Sequence, residues 1–307
     1  MLALIGLGYW GKNYYSTLTK LGKRCLLRYI YDSNEKLRGK YSGEKIIFAK
    51  SIDEILKDDS VKGVIIATPP ATHFKIAKAC LLAGKNVLVE KPCTGNLKKA
   101  MELKKISNTI GRQLLVGNIF LFDDCVKRLK TKIKKQKIKF VSIKRLLTPK
   151  REDADILLDV VFHDLYLTNY LFDKNFKAKH AFITKKFARQ FDYAHITLSN
   201  GPTIVCIEAG LVYPKKVREL LLVSDKKSFF YDQNYLTEYK NIFSEQIPRF
   251  KLLSKTKNRA TPLENECINF KNAILGGKDN YKTLHYALIS LQKIKEIRKL
   301  CHANTFC

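Results

Sequence analysis

Short apolar runs alternate with segments of helical apolar spacing through the first 118 residues. This alternation predicts parallel strands joined by helices, which is typical of a doubly wound α/β sheet. The predicted strands span residues 2–5, 26–31, 45–48, 63–67, 86–89 and 113–116. The predicted helices span residues 13–21, 51–56, 72–83 and 97–110. We therefore expect one complete domain over residues 1–118, built on about six parallel strands.

Residues 119–307 have longer β-rich segments and predict a second domain. The predicted strands span residues 139–147, 181–187, 193–198, 203–212, 218–223 and 228–231. The predicted helices span residues 156–172, 263–275 and 284–301. Residues 199–202 read Ser-Asn-Gly-Pro, which predicts a β-hairpin. The spacing favours an open, mostly antiparallel sheet with helices, an α+β arrangement.

A glycine motif follows the first predicted strand. Gly6, Gly8 and Gly11 form G-x-G-x-x-G, in which the glycines allow a tight turn, close approach of a pyrophosphate and packing of the next helix. Asp32 ends the second predicted strand, where a carboxylate accepts hydrogen bonds from ribose hydroxyls and repels a 2′-phosphate. The pattern predicts a dinucleotide site that prefers NAD to NADP. The alternative for Asp32 is a turn acid or a helix N-cap before Asn34.

The net charge of +29, from 57 Lys and Arg against 28 Asp and Glu, is the unusual feature of the composition. It is compatible with a polyanionic partner, or with a lysine-rich composition that serves a small anionic substrate. The dense basic run at residues 127–139 keeps Leu129 and Ile133 on one helical face, which favours a solvated helix face over a binding patch. We expect no specific nucleic-acid partner, because basic residues interleaved with aromatic residues are lacking.

The sequence lacks an apolar stretch long enough to span a bilayer, and no signal peptide precedes the first predicted strand. Its eight cysteines are scattered and form no C-x-x-C pair. This usage is typical of reduced cysteines and not of a disulfide or zinc framework. We therefore predict a cytoplasmic protein with no membrane span and no metal site.

Three turns follow predicted strands at the edge of the first sheet where ligands bind. They are the glycine motif, the Thr-Pro-Pro-Ala-Thr-His segment at residues 68–73 and the Glu-Lys-Pro segment at residues 90–92. A cationic nicotinamide beside Lys91 would disfavour the ammonium form, which suits Lys91 to take or give a hydroxyl proton during hydride transfer. The alternative is a strand-end lysine that pairs with Glu90.

Two polar residues interrupt the apolar sequence of the predicted helix at 156–172. Asp159 and His163 are four residues apart and therefore share one helical face. Polar groups in an apolar helix are costly unless they are paired or used, so this is a second candidate site. The alternatives are a structural Asp–His pair, or a zinc site that lacks a second histidine or cysteine nearby in sequence.

Taken in chain order, these motifs resemble the Gfo/Idh/MocA family of NAD(P)-dependent oxidoreductases. The matching features are Gly6 to Gly11, Asp32, Thr68-Pro69 with His73, Glu90-Lys91-Pro92, Gly117-Asn118, Asp159 with His163-Asp164, and Pro-Lys-Lys-Val-Arg at residues 214–218. The resemblance implies that Lys91 is the catalytic acid/base and that Asp159 and His163 surround the reacting hydroxyl. It also implies that residues 119–307 carry the substrate side and the oligomer interface.

The resemblance implies two sets of binding residues. The cofactor-binding set is Gly6, Gly8, Tyr9, Trp10, Gly11, Asp32, Thr68, Pro69, His73, Glu90 and Lys91. The substrate-binding set is Lys91, Asn118, Asp159, His163, Lys216 and Arg218. The glycine segment, His163-Asp164 and residues 214–218 are most similar to nucleotide-sugar 3-dehydrogenases. Those enzymes act on UDP-N-acetylglucosamine or its uronate in surface-polysaccharide synthesis.

The expected activity is NAD-dependent hydride transfer between nicotinamide and a ring hydroxyl or ketone of a sugar or nucleotide-sugar. The expected assembly is a homo-oligomer, a dimer or a tetramer. Two alternatives remain. One is an inositol or free-sugar dehydrogenase of the same family, and the other is a non-catalytic NAD-binding regulator or scaffold.

Overall fold

The computed structural model describes residues 1–41, 45–148, 155–184, 192–240, 249–255, 260–276, 279 and 281–303. The chain forms two compact units. Unit 1 consists of Met1–Phe122 and Ala260–Leu288, and unit 2 consists of Asp123–Arg259 and Ile289–Cys307. The expected domain division after residue 118 stays a prediction. The two units differ from that division because residues 260–288 return to unit 1.

Unit 1 is built on a six-stranded sheet in which every pairing is parallel. Its strands are β1 (Leu2–Ile5), β2 (Leu27–Tyr31), β3 (Ile47–Phe48), β4 (Gly63–Ile66), β5 (Asn86–Glu90) and β6 (Leu114–Gly117). The spatial order β3-β2-β1-β4-β5-β6 reverses between β1 and β4, and ligands bind beyond the carboxyl ends of the strands at such a reversal. All residues of β1, β4, β5 and β6 are buried, as expected for strands covered on both faces. The predicted doubly wound sheet is confirmed.

The described residues contain nine α-helices. They are α1 (Tyr9–Leu21), α2 (Arg38–Tyr41), α3 (Ile52–Lys57), α4 (Pro70–Leu82), α5 (Leu97–Ile110), α6 (Asp124–Ile133), α7 (Phe162–Phe172), α8 (Pro262–Ile274) and α9 (Thr283–Ala303). Helix α1 begins four residues earlier than predicted, directly inside the glycine motif with Gly8 as its N-cap. Helix α4 begins two residues earlier than predicted, because proline is well tolerated in the first helical turn.

Helix α8 belongs to unit 1 because its apolar face completes the core of that unit. Cys267 and Phe270 are fully buried in the same hydrophobic cluster as Leu4 and Leu18. A Cβ atom added to Gly63 in β4 would lie 2.4 Å from Cδ1 of Ile274, so the absence of a side chain there admits this helix. Local sequence pattern predicts that α8 is a helix but does not predict which sheet it covers.

Unit 2 contains an eight-stranded sheet in the order β14-β13-β12-β11-β7-β10-β9-β8. Its strands are β7 (Ile138–Leu146), β8 (Lys177–Thr184), β9 (Tyr193–Asn200), β10 (Thr203–Gly210), β11 (Val217–Ser224), β12 (Lys227–Tyr231), β13 (Tyr235–Lys240) and β14 (Arg249–Lys255). Strands β7 and β10 pair in parallel and the other pairings are antiparallel. The predicted open, mostly antiparallel sheet is therefore confirmed.

Three strands of unit 2 depart from the predicted bounds. Strand β8 begins at Lys177, earlier than predicted, and residues 185–187 of the predicted strand lie outside the described residues. Strands β13 and β14 were not predicted, because Glu238 in β13 and Lys251 in β14 interrupt the apolar pattern. The predicted hairpin is present: Asn200 pairs with Thr203, and Gly201 adopts a positive φ of 54°.

Helix α6 contains the first half of the basic run. Its apolar residues Val126, Leu129 and Ile133 are buried, whereas Arg128 and Lys132 are exposed, as expected for a solvated helix face. The ammonium of Lys130 lies 3.8 Å from the centre of the Tyr170 ring, which adds a cation–π contact to α7. Among the described residues, no helix has the length and apolarity needed to cross a membrane.

Candidate active site

The glycine loop of unit 1 is closely packed at two of its three glycines. A Cβ atom on Gly11 would lie 2.0 Å from the carbonyl oxygen of Gly6, and one on Gly6 would lie 2.7 Å from that of Ala67. Gly6 also has a φ of 96°, a conformation that L side chains rarely adopt. A Cβ atom on Gly8 would meet no protein atom within 4 Å, so the space beside Gly8 is open to a ligand.

The N-terminus of α1 suits a pyrophosphate. Gly8 provides no side-chain cap, and the first turn contains no acidic residue. The first backbone N–H groups and the positive end of the helix dipole can therefore interact with an anion. Tyr9, a predicted cofactor contact, is 77% exposed at the start of this helix, and its ring packs edge-on against that of Trp10.

Asp32 ties the end of β2 to the glycine loop. One carboxylate oxygen accepts a hydrogen bond from the Leu7 N–H at 2.7 Å, and the other accepts one from the Asn34 N–H at 2.8 Å. The hydrogen bond from Asn34 is the contact expected of an acid in a turn, which is the alternative role predicted for Asp32. Each carboxylate oxygen accepts more than one hydrogen bond, so the same side chain can also receive ribose hydroxyls. The residues present therefore fit the adenosine half of NAD.

His73 joins the turns that follow β4 and β5. Its ring is completely buried, with Nδ1 2.8 Å from the carbonyl oxygen of Pro92 and Nε2 2.7 Å from that of Thr68. Burial lowers the pKa of His73 despite these contacts. Because both ring nitrogens face main-chain oxygens, this geometry favours a role in positioning the two turns over direct contact with a cofactor.

Lys91 and Asn118 follow neighbouring strands at the same edge of the sheet. Lys91 is half-buried after β5, and its peptide bond to Pro92 is cis. The Glu90 side chain lies inside unit 1, 8% exposed, where it accepts a hydrogen bond from the Lys91 N–H at 3.2 Å. Asn118, after β6, is 3% exposed, and its amide nitrogen has no hydrogen-bond partner among the described residues. That buried donor is suited to a ligand.

Asp159 and His163 of unit 2 share the accessible side of a helical segment that begins with a π-turn. The π-turn spans Leu157–Val161 and continues directly as α7, so the predicted helix is present with a locally wider first turn. Asp159 and His163 are half-buried, whereas the intervening Val160, Val161 and Phe162 are buried. Single π-turns inside helices are frequent at functional sites.

Asp155 caps this segment and was missed by the sequence reasoning. Its carboxylate accepts the Leu157 N–H at 2.9 Å and receives Nη2 of Arg298 at 2.6 Å. Its own N–H donates to the carboxylate of Asp159 at 3.1 Å. An aspartate directly before an apolar helix is a typical N-cap signal, so this position was predictable. The ion pair of Asp155 with Arg298 was not predictable, because Arg298 lies 143 residues further along the chain.

A buried ion pair fixes α7 beside His163. Nε and Nη2 of Arg145 lie 2.7 and 2.6 Å from one carboxylate oxygen of Asp164, whose side chain is completely buried. Burial raises the pKa of Asp164, and the charges of Arg145 and Arg218 oppose that shift. Arg145 was not predicted as a site residue, because its sequence neighbourhood does not distinguish it from the other basic residues.

The two predicted basic substrate contacts differ in exposure. Lys216 is exposed before β11, whereas Arg218 is half-buried in β11 and pairs in register with Arg145 of β7. Nη1 of Arg218 donates to the side-chain oxygen of Gln233 at 3.0 Å. Unit 2 thus gathers Asp159, His163 and Arg218 around α7 and the adjoining strands. Unit 1 gathers the glycine loop, Asp32, Lys91 and Asn118 at its sheet edge.

We expect Gly11→Ala to lower the melting temperature and weaken NADH binding at least tenfold. The added methyl group meets the Gly6 carbonyl at 2.0 Å, so the glycine loop or α1 must shift. Gly8→Ala meets no protein atom and should weaken NADH binding with little change in melting temperature. Thermal unfolding and NADH fluorescence titration measure the two effects.

Gly39→Ala is the control, because its added methyl group also meets nothing within 4 Å and lies outside the loop. Equal NADH affinity in the Gly8→Ala and Gly39→Ala variants would contradict a pyrophosphate at Gly8.

A parallel sheet with an open glycine loop defines unit 1 as an NAD-binding Rossmann fold. Residues 1–118 match the profile of the Gfo/Idh/MocA family, described as an oxidoreductase family with an NAD-binding Rossmann fold. The predicted resemblance is confirmed over residues 1–118, which form an NAD-binding domain of this oxidoreductase family.

Curated relatives include inositol 2-dehydrogenase of Rhodococcus jostii, 28% identical over 190 residues that cover 58% of this chain and 51% of that protein. UDP-N-acetylglucosamine 3-dehydrogenase of Acidithiobacillus ferrooxidans is 27% identical over 54% of this chain and 52% of its own length. The matched part of the chain thus spans about half the length of these two relatives.

Solved structures match the fold over nearly the whole chain. The structure of the Acidithiobacillus ferrooxidans enzyme has a TM-score of 0.86 at 22% identity, covering 98% of this chain and 97% of that one. GenD2 from gentamicin A biosynthesis, solved in complex with NAD, has a TM-score of 0.82 at 19% identity, covering 98% and 93%. At these identities the likeness extends to the fold and not to the substrate.

Proposed function

We propose that this protein is an NAD-dependent dehydrogenase that acts on a ring hydroxyl of a sugar, with a nucleotide-sugar as the first candidate. The observation that carries the proposal is the location of Lys91 at the end of β5. This is the sheet edge that also holds the open glycine loop and the buried amide donor of Asn118. A proton-transferring side chain beside a dinucleotide site is what alcohol oxidation requires.

The proposed roles follow from the chemistry of each side chain and from the resemblance to the family. The glycine loop and Asp32 hold NAD, which when bound supplies a hydride acceptor. Lys91 or His163 takes the proton of the substrate hydroxyl, and Asp159 orients the proton-transferring pair. Asn118 donates a hydrogen bond to the substrate. The tie of Asp159 to the Asp155 N–H supports an orienting role, because it restrains the carboxylate from the start of the π-turn.

A nucleotide-sugar is favoured over a neutral sugar by charge. The net charge of +29 attracts a diphosphate, and Lys216 and Arg218 supply cations on unit 2. The relative from Acidithiobacillus ferrooxidans is named for UDP-N-acetylglucosamine. The second candidate is inositol or a free sugar, because relatives named inositol 2-dehydrogenase align over a similar share of the chain.

A cofactor and substrate panel tests the proposed function. Reduction of NAD and NADP is followed at 340 nm with UDP-N-acetylglucosamine, its uronate, N-acetylglucosamine and myo-inositol as substrates. We expect reduction of NAD with a UDP-sugar and weaker use of NADP, because Asp32 repels a 2′-phosphate. Turnover of inositol alone would support the second candidate. NADH binding without turnover of any substrate would indicate a regulator or scaffold.

We also propose that the protein is a homo-oligomer assembled through the outward face of the unit 2 sheet. Phe140, Phe182 and Ile204 are 38%, 50% and 44% exposed on this face. Phe140 and Ile204 are neighbours across the β7–β10 pair, so they form one apolar surface. Exposed apolar surface of this kind is typical of association sites.

The surface predicts a dimer or tetramer of the 35.3 kDa chain in sedimentation velocity. Ile204→Lys should shift the population towards monomer, because a buried unpaired charge at an interface is costly. Leu275→Lys, which changes a 71% exposed leucine of unit 1, should leave the mass unchanged. A wild-type protein that remains a monomer at micromolar concentration would contradict this proposal.

A further inference from the structure

Glu266 is a buried acid in α8 that no motif of the sequence singles out. It is 1% exposed, although a carboxylate is rarely buried unless it is hydrogen-bonded. One carboxylate oxygen accepts a hydrogen bond from the hydroxyl of Tyr14 at 2.7 Å. The other accepts one from the backbone N–H of Asn118, also at 2.7 Å. Glu266 therefore connects α8 to the cofactor helix α1 and to the residue that follows β6.

Glu90 completes a buried group that we call the acid cluster, defined as Tyr14, Glu90 and Glu266. Tyr14 is fully buried, and its hydroxyl lies on the same side of Gly117 as the Glu90 carboxylate, which receives the Lys91 N–H. Gly117 leaves room for the cluster, because a Cβ atom there would lie 3.1 Å from the Tyr14 hydroxyl and 3.4 Å from Glu90. The cluster thus reaches the main chain of both Lys91 and Asn118.

Two neighbouring buried carboxylates cannot both be charged without cost. Burial, together with the charge of Glu90, raises the pKa of Glu266 to about 8. Burial raises the pKa of Glu90 to about 7, and the hydrogen bond from Tyr14 and the charge of Lys91 oppose that shift. Asp279 adds a further negative charge near Glu266, and the thiol of Cys267 also lies within reach of its charge.

We propose that Glu266 is a positioning residue for the active site. It holds Asn118 directly, and it holds the Lys91 turn through Tyr14 and Glu90. Its two hydrogen bonds restrain the ends of β6 and α1 from a helix that is more than 140 residues further along the chain. This inference rests on the proposed function only where it concerns the effect of Glu266 substitutions on turnover. The effect on unfolding does not depend on any substrate.

Glu266→Gln is the informative variant, because an amide keeps the shape of the side chain. Its oxygen accepts the Asn118 N–H and its nitrogen donates to Tyr14, so the turns stay restrained while the shared charge is removed. Glu266→Leu removes both hydrogen bonds and should lower kcat about tenfold at the optimal pH, with the Gln variant restoring most of that loss. Tyr14→Phe removes the hydroxyl that donates to Glu266 and lies beside Glu90.

The readout independent of activity is the stability of the protein against pH. Because both acids have raised pKa values in the folded state, the free energy of unfolding should fall as pH rises from about 4.5 to about 8. Glu266→Gln should flatten this fall, and Tyr14→Phe should steepen it. The same substitutions should change the pH profile of kcat through the pKa of Glu90. Glu266→Gln removes a neighbouring negative charge, so the acid limb should move to lower pH. Tyr14→Phe removes a hydroxyl that opposes the raised pKa, so the acid limb should move to higher pH.

Glu264→Gln is the matched control on the same helix. Glu264 caps α8 in a box with Thr261 and pairs with Lys20 at 2.6 Å, so its loss should lower the melting temperature. The pKa of Glu264 is lowered by its hydrogen bond with Lys20, so its contribution to stability changes with pH mainly below about 4.5. Glu264→Gln should therefore leave the fall in stability between about pH 4.5 and 8 and the pH profile of kcat unchanged. The proposal is overturned if Glu266→Leu leaves both kcat and the stability–pH curve as in wild type, or if Glu264→Gln gives the same changes as the Glu266 variants. Absence of turnover in wild type would count against the proposed function alone.

Discussion

Replacing Lys91 with methionine is expected to lower kcat by about 10²- to 10⁴-fold, the usual contribution of a positioned acid or base. Methionine keeps the length and apolar stem of lysine but cannot transfer a proton. The glycine loop and Asp32 are untouched, so NADH should still bind, with the affinity reduced far less than kcat because Lys91 is only one of the predicted cofactor contacts. Steady-state kinetics and NADH fluorescence titration on the same protein sample separate the two effects.

Lys98→Met is the matched control, because Lys98 is exposed on α5 of the same unit. It should leave kcat and NADH affinity unchanged. His163→Ala tests the second proton-transferring candidate in the same assays. If Lys91→Met and His163→Ala both retain wild-type turnover, the proposed proton transfer by either side chain is wrong and the regulator alternative gains support.

Arg145→Met is expected to give the largest loss of stability, about 3–5 kcal/mol of unfolding free energy. Arg145 is 5% exposed and is the partner of the fully buried Asp164 carboxylate. Without the guanidinium, Asp164 is an uncompensated buried charge, and its pKa should rise further. The loss should therefore shrink as pH falls and Asp164 becomes protonated. Urea denaturation at two pH values measures the size of the loss in unfolding free energy and the direction in which that loss changes with pH.

The exposed pair Lys78–Glu102 is the control for the Arg145 variant. Its atoms are 2.7 Å apart and its side chains are 41% and 43% exposed, so Lys78→Met should cost less than about 1 kcal/mol. Amide hydrogen exchange should show faster exchange in α7 for Arg145→Met only. The double variant Arg145→Met with Asp164→Leu should recover much of the loss. A single Arg145→Met variant as stable as wild type would contradict a structural role for this pair.

The parallel sheet of unit 1 was predictable because its signals are local. A strand that is buried on both faces is a short apolar run in the sequence. Gly6 and Gly11 follow β1 where a Cβ atom would collide with a backbone carbonyl oxygen. The six predicted strands match the observed strands to within about two residues at most ends, in keeping with the usual uncertainty of element boundaries. The bounds of α1 were less accurate, because a helix that begins inside a glycine loop shows no apolar periodicity in its first turn.

The supporting side chains of both sites were less predictable. Asp155 had a recognisable capping signal, but Arg145 and Glu266 had none. Each stabilises its site through a partner that is distant in sequence: Arg145 through Asp164, and Glu266 through Tyr14 and Asn118. Burial makes these contacts strong, and burial is a property of the assembled fold.

The sequence alone determined the fold class of unit 1, the dinucleotide motif with Asp32, and the candidacy of Lys91, Asp159 and His163. These inferences depend on spacing within one strand, one turn or one helix. Only the tertiary structure decided that α8 returns to unit 1, that His73 lies between two main-chain oxygens, and that Glu90 shares a buried cluster with Glu266. The reason is that hydrogen bonding and desolvation depend on contacts between segments that are distant in sequence, and local periodicity does not predict those contacts.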